Sequence, residues 1–217
     1  MKMNLANKLT IFRILLVPVM MLVPIIDNLV GISGEFLGIS TAFWIMNIIF
    51  IIASITDKLD GYIARSRNQV TTFGKFLDPL ADKILVLSAL VILVEYGKIP
   101  SWIPIIVLAR EFIVSGYRLI AVEKGGKVIA ASIWGKLKTV TQMIGIIFAF
   151  LDKFSFGEFI FRVSTQADAQ INLASIYMTT GQFVINIITT IVLTLSVIAT
   201  IFSGINYLKG GKELFKD

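Results

Sequence analysis

Asp57, Asp60, Gly61 and Ala64 stand at i, i+3, i+4 and i+7. On a helix that spacing makes one stripe, carrying two carboxylates and two of the smallest side chains. Gly74, Asp78 and Asp82 follow at i, i+4 and i+8, a second stripe with a glycine and two more carboxylates. If the two helices pack on these stripes, four carboxylates converge beside a surface cleared of bulk. Such a cluster needs counter-charge, because like charges in a low-dielectric site raise one another's pKa. Lys58, Arg65, Lys75 and Lys83 lie close by in sequence and would make the cluster a structural ion-pair network. The other source is metal. All-oxygen ligation points to Mg2+, Mn2+ or Ca2+. Four negative charges match two divalent ions, and two-ion sites commonly serve phosphoryl-type transfer. The small residues on the same stripes let a flat or phosphate-bearing group approach the backbone. Pro79 removes a backbone donor within the second stripe, which predicts a kink or a late helix start there.

Composition narrows the chemistry further. The chain has no cysteine and no histidine. This excludes a thiolate nucleophile, a Cys-ligated zinc or iron–sulfur site, a Ser-His-Asp relay and any imidazole base. Carboxylates, hydroxyls, Lys, Arg and bound ions remain.

The elements that must position these stripes are helices in lipid. Of 217 residues, 56% are hydrophobic and 16% charged, against about 25% charged in a soluble domain; mean hydropathy is +0.86. A spanning helix needs roughly 20 mostly apolar residues. Residues 36–56 and the charge-free stretch 169–208 meet that strictly, the latter as one span over 183–208 with a polar approach. Four more stretches, 9–26, 76–94, 102–122 and 140–151, are apolar but fall short of that, the first three being interrupted by ionisable residues, Lys83 and Arg110 among them, and the last being short. The expectation is an all-α integral membrane protein with six transmembrane helices in a single domain over 1–217. The first span reads as retained, since no small-x-small cleavage site follows it.

Most cations fall at the two ends and in the 57–75 and 118–138 loops. The positive-inside rule therefore places these regions, and the carboxylate site, on the cytoplasmic face of the cell membrane. Segment 152–180 becomes an extracytoplasmic loop with no assigned role. A net charge of +6 in so apolar a chain points to a lipid bilayer and phosphorylated substrates as partners, and away from nucleic acid. Thr10 and Arg13 are expected to contact a headgroup or phosphate at the interface. Trp44, Trp102 and Trp134 are expected to be interfacial anchors.

The pattern Asp57-x-x-Asp60-Gly61-x-x-Ala64-Arg65, then Gly74-x-x-x-Asp78-x-x-x-Asp82, resembles the full signature of the CDP-alcohol phosphotransferases. All eight fixed positions match, with the usual gap. The resemblance implies that family's six-helix membrane fold, displacement of CMP from a CDP-linked alcohol, and a homodimer. It implies that Asp57, Asp60 and Asp78 hold two divalent cations, Mg2+ or Mn2+, with Asp82 also facing the metals and serving as general base. Gly61, Ala64 and Gly74 would border the cytidine and diphosphate, with Arg65 and Thr71 contacting the diphosphate. The absence of histidine agrees, leaving a carboxylate as the best base for an attacking alcohol.

The acceptor is read from elsewhere. Ala109-Arg110-Glu111, Ser115-Gly116-Tyr117-Arg118 and Gly135-Lys136-Leu137-Lys138-Thr139 are similar to family members whose donor is CDP-diacylglycerol and whose acceptor is glycerol 3-phosphate. So are the opening Asn7-x-x-Thr10-x-x-Arg13 and the closing Phe202-Ser203-Gly204, Tyr207 and Lys209-Gly210. An acceptor bearing its own phosphate needs a second cationic pocket. Arg110, Arg118, Lys136 and Lys138 are the available cations, and Arg suits bidentate phosphate recognition. Arg110, inside a span, must be paired; its bland alternative is a salt bridge with Glu111 or an Asp of the cluster. Lys136 and Lys138 lie two apart and diverge on a helix. Three rival functions stand beside this one. The first is the same chemistry with phosphatidylglycerol, serine or inositol phosphate as acceptor. The second is a prenyl-diphosphate transferase, in which Gly61, Ala64, Arg65 and Gly74 have no evident role. The third is a cation transporter, against which the gathering of acids at one membrane face argues.

Overall fold

Long helices dominate the computed structural model, which describes residues 5–32, 34–66, 72–123, 133–160 and 179–210. Six long helices lie among the described residues: α1 Leu5–Val30, α2 Thr41–Ser66, α3 Thr72–Glu95, α4 Trp102–Glu123, α5 Ile133–Leu151 and α6 Thr180–Gly210. α1 ends where Gly31 takes a left-handed φ of 69°, with its N–H on the Asp27 carbonyl and the Ile32 N–H on the Asp27 side chain. A two-residue hairpin follows, β1 Glu35–Phe36 against β2 Ile39–Ser40. Leu37 and Gly38 at its tip both have positive φ, the geometry that a tight hairpin turn demands.

This hairpin corrects one expectation. The apolar run from Phe36 is not helical from its start, because the turn takes 36–40 and α2 begins only at Thr41. At Pro79 the late start is absent as well: α3 begins at Thr72 and runs through the proline. α3 stops in a Schellman motif, with Gly97 at φ 66°, its N–H on Val94 O and the Lys98 N–H on Leu93 O.

The described chain forms two units. The first comprises residues up to Lys98 together with Ala149–Lys153. In it α1 packs on α2 and α3, and α2 on α3. Met20, Met46, Phe50, Leu85, Leu90, Leu93 and Phe150 fill its interior and are almost wholly buried. The face of α1 turned inward begins polar, with Asn7, Thr10 and Arg13, and becomes apolar with Val17, Met20 and Val23. The outward face carries the exposed Leu15, Val19, Leu22, Ile26 and Leu29. A helix in water arranges these the other way round; this one suits lipid. At the far end of α1, Asp27 accepts a hydrogen bond from the Tyr96 hydroxyl at 3.2 Å.

The second unit comprises Ile99–Phe148 and the residues from Phe154 on. α4 packs along α6 through Val114, Tyr117, Ala121 and Tyr207. α5 approaches α6 at Gly145, where an added Cβ would stand 2.7 Å from Leu193 Cδ2 and 3.1 Å from its Cγ. α6 opens on a capping box: the Gln182 N–H donates to the Thr179 hydroxyl and the Thr179 N–H to the Gln182 side chain. Its buried face is unusually polar, with Asn186, Thr189, Thr190, Ser196, Thr200 and Ser203. Three hydroxyls along this helix, those of Thr189, Thr194 and Thr200, are satisfied by the carbonyl one turn back. Asn186 instead grips the 155–159 turn, donating to Ser155 O and accepting from the Phe159 N–H. This gives the first residues of the 152–180 segment a structural role; 161–178 lie outside the described residues. Over Asn7–Val30 and Thr180–Lys209, α1 and α6 are long and apolar enough to cross a membrane.

Candidate active site

In the first unit the backbone places Asp57, Asp60, Gly61 and Ala64 on α2, followed by Arg65, and Gly74, Asp78 and Asp82 on α3. The two stripes expected from spacing thus occur on two helices that pack together. Among the described side chains, Asp57 is about one-third exposed, with Oδ1 2.6 Å from Nη1 of the fully buried Arg13. Asp82 is partly buried. The side chains of Asp60, Gly61, Ala64, Arg65, Gly74 and Asp78, and the whole of Thr71, lie outside the described residues. Among the described residues no three metal-ligating side chains come together; the four-carboxylate cluster depends on Asp60 and Asp78.

Arg13 departs from its sequence expectation. It does not point to a headgroup at the interface; it is inside the unit, its charge met by Asp57. A guanidinium removed from water needs a counter-charge, and α2 supplies one. The donor set still fits a divalent cation. It is all carboxylate, and a carboxylate's two oxygens with about four lone pairs can serve an Arg and a metal together.

The second unit collects the candidate acceptor cations. Arg110 Nη1 and Lys138 Nζ both donate to Glu111 Oε1 at 2.8 Å, so α4 and α5 are tied by one carboxylate. Arg110 also donates to Ser203 Oγ on α6, from Nη2 at 2.7 Å and from Nε at 3.3 Å. Two turns along α4, Arg118 Nη2 donates to the Tyr207 hydroxyl at 3.0 Å. The Arg110 and Arg118 guanidinium groups each lie 5.7 Å from the centre of the Tyr207 ring. Lys138 is buried, whereas Lys136, two residues away, is exposed, the divergence expected of that spacing. The structure therefore brings Arg110, Lys138 and Arg118 together along α4, α5 and α6, and leaves Lys136 on the surface. The salt bridge foreseen as the alternative for Arg110 is present. Sequence reasoning did not single out Ser203 and Tyr207 as the hydrogen-bond partners of Arg110 and Arg118, although both lie in the closing pattern at the end of the chain.

These helices and the signature they carry define a class. The chain belongs to the CDP-alcohol phosphatidyltransferase family, whose profile matches residues 3–202. Among its relatives is the CDP-diacylglycerol–glycerol-3-phosphate 3-phosphatidyltransferase of Bacillus subtilis (strain 168), 47% identical over 146 residues, which cover 66% of this chain and 74% of the relative. The protein of the same name from Haemophilus influenzae is 42% identical over 150 residues, 67% of this chain and 75% of the relative. That from Rickettsia typhi is 34% identical over 213 residues, 98% of this chain and 99% of the relative.

Proposed function

We infer that this chain is a membrane enzyme that transfers the phosphatidyl group of CDP-diacylglycerol to glycerol 3-phosphate, giving phosphatidylglycerophosphate and CMP. The observation that carries this is the complete Asp57–Asp82 signature, on two packed helices, in a chain similar almost end to end to a phosphatidyltransferase of that specificity. The six helices are its six spans, with both termini and the basic loops on the cytoplasmic side of the cell membrane.

Asp57, Asp60, Asp78 and Asp82 would hold two divalent cations, Mg2+ or Mn2+. Bound there, such ions neutralise the diphosphate and the charge developing on the leaving CMP. Arg65 and Thr71 support the diphosphate, and Gly61, Ala64 and Gly74 leave room for the nucleotide. Asp82 takes the proton of the acceptor hydroxyl as that oxygen attacks the lipid-bearing phosphorus. The bond from this phosphorus to the oxygen of CMP breaks, and CMP leaves with the electron pair. Arg118, with Arg110 and Lys138, supplies positive charge for the acceptor's phosphate.

The test is acceptor competition on the purified protein in detergent with CDP-diacylglycerol and Mn2+ or Mg2+. Labelled glycerol 3-phosphate should enter lipid with matching CMP release, and a chelator should stop it until metal is restored. Preferential labelling from serine, inositol phosphate or phosphatidylglycerol would replace the acceptor assignment.

A further inference from the structure

Arg13 has no assigned part in the transfer, yet it is a described cation joined to a carboxylate of the signature. Its side chain is fully buried and its Nη1 lies 2.6 Å from Asp57 Oδ1. It belongs to a polar patch, with Asn7 and Thr10, on the inward face of α1. That patch occupies the end of α1 that meets the signature part of α2, while the rest of the same face is apolar. A buried guanidinium cannot leave its counter-ion without a large penalty, so the pair is a fixed feature of the site.

Charge accounting then gives Arg13 a task. Four carboxylates and two divalent cations cancel, so the positive charge of Arg13, held against Asp57, is added to that balance. We propose that Arg13 is a charge-balancing residue of the donor site: it holds down the affinity of the carboxylates for divalent cations and favours the donor's diphosphate. The proposal rests on the metal-dependent function inferred above and adds to it a role for α1, which lies outside the signature.

The two effects have opposite signs, and a residue serving only the fold would not separate them. Mn2+ binding to full-length protein in detergent, without substrate, is followed by electron paramagnetic resonance. The KM for CDP-diacylglycerol is measured at saturating Mn2+ from CMP release. Arg13→Gln, which keeps the stem and a donor but loses the charge, should bind Mn2+ about tenfold more tightly, the effect of one unit charge near a divalent ion in a partly solvated site. Its donor KM should rise about tenfold as well. Arg13→Lys should sit near wild type in both, and it decides the matter if Arg13→Gln does not fold: a lysine variant displaced in both quantities in the same direction overturns the proposal. Unchanged or weaker Mn2+ binding by Arg13→Gln, with ordinary binding by the wild type, also overturns it while leaving the transferase function intact. A wild-type protein whose Mn2+ binding is absent, or indifferent to Asp57→Asn, overturns the metal site and this proposal with it.

Discussion

Arg118→Ala offers a quantitative test of the acceptor pocket. Arg110 and Lys138 share the carboxylate of Glu111, whereas the described hydrogen bond of Arg118 goes to a neutral phenol, Tyr207. Its side chain is also exposed, so its charge remains available to a phosphate. A hydrogen bond to a charged group contributes about 1.5–3 kcal/mol. At about 1.4 kcal/mol per tenfold change, Arg118→Ala should raise the KM for glycerol 3-phosphate roughly 10- to 150-fold. The fold should bear the loss. One part-buried hydrogen bond and one cation–π contact are removed, about 1–2.5 kcal/mol together, and Tyr207 keeps Arg110 and Tyr117 against its ring. Arg118→Lys should fall between, since an ammonium keeps the charge but not the fork. The assay is CMP release with glycerol 3-phosphate varied at saturating CDP-diacylglycerol, then with the two exchanged. An unchanged acceptor KM, or a rise confined to the donor, would refute the assignment of Arg118 to the acceptor.

Three further outcomes are expected. Asp82→Asn should abolish CMP release while leaving elution on size exclusion and helical content unchanged; wild-type turnover would remove Asp82 as the base. Gly145→Ala should lower thermal stability by about 1–3 kcal/mol through overpacking on Leu193, less the gain in helix propensity of about 1 kcal/mol. Leu193→Ala in that background should cost less than it does alone, and strict additivity would show that the two do not touch. Tyr96 is pushed up to about 12 by burial and by the neighbouring Asp27. A raised pKa means its contribution to stability is complete below its ordinary value near 10 and fades as pH climbs through about 12. Melting temperature should therefore fall across that window in the wild type and less so in Tyr96→Phe.

Local pattern carried much of this molecule. All six helices lie over the apolar stretches, and both carboxylate stripes lie on helices at the expected register. Hydropathy misjudged the start of α2, because Phe36 and Ile39 are as apolar as a helix core while Gly34 and Gly38 fold them into a turn. The pairing of Arg13 was beyond reach: its partner Asp57 stands on α2, beyond the β1–β2 hairpin, and nothing local distinguishes a buried guanidinium from one lying at an interface. Glu111 is the intermediate case. Its contact with the adjacent Arg110 was open to sequence reasoning, but its capture of Lys138 required α4 and α5 to be side by side.

The pair between Arg13 and Asp57 also bears on how the chain is made. α1 emerges from the ribosome before α2 and is long and apolar enough to cross a bilayer. Until most of α2 has followed, Arg13 has no Asp57 to meet, and an arginine at the centre of a lone membrane helix costs about 2.5–3.5 kcal/mol. A residue so near the start of α1 can defer that penalty by reaching toward the interface. The nascent first helix should therefore ride high in the membrane, and settle to its final depth only when the second helix arrives with its aspartate.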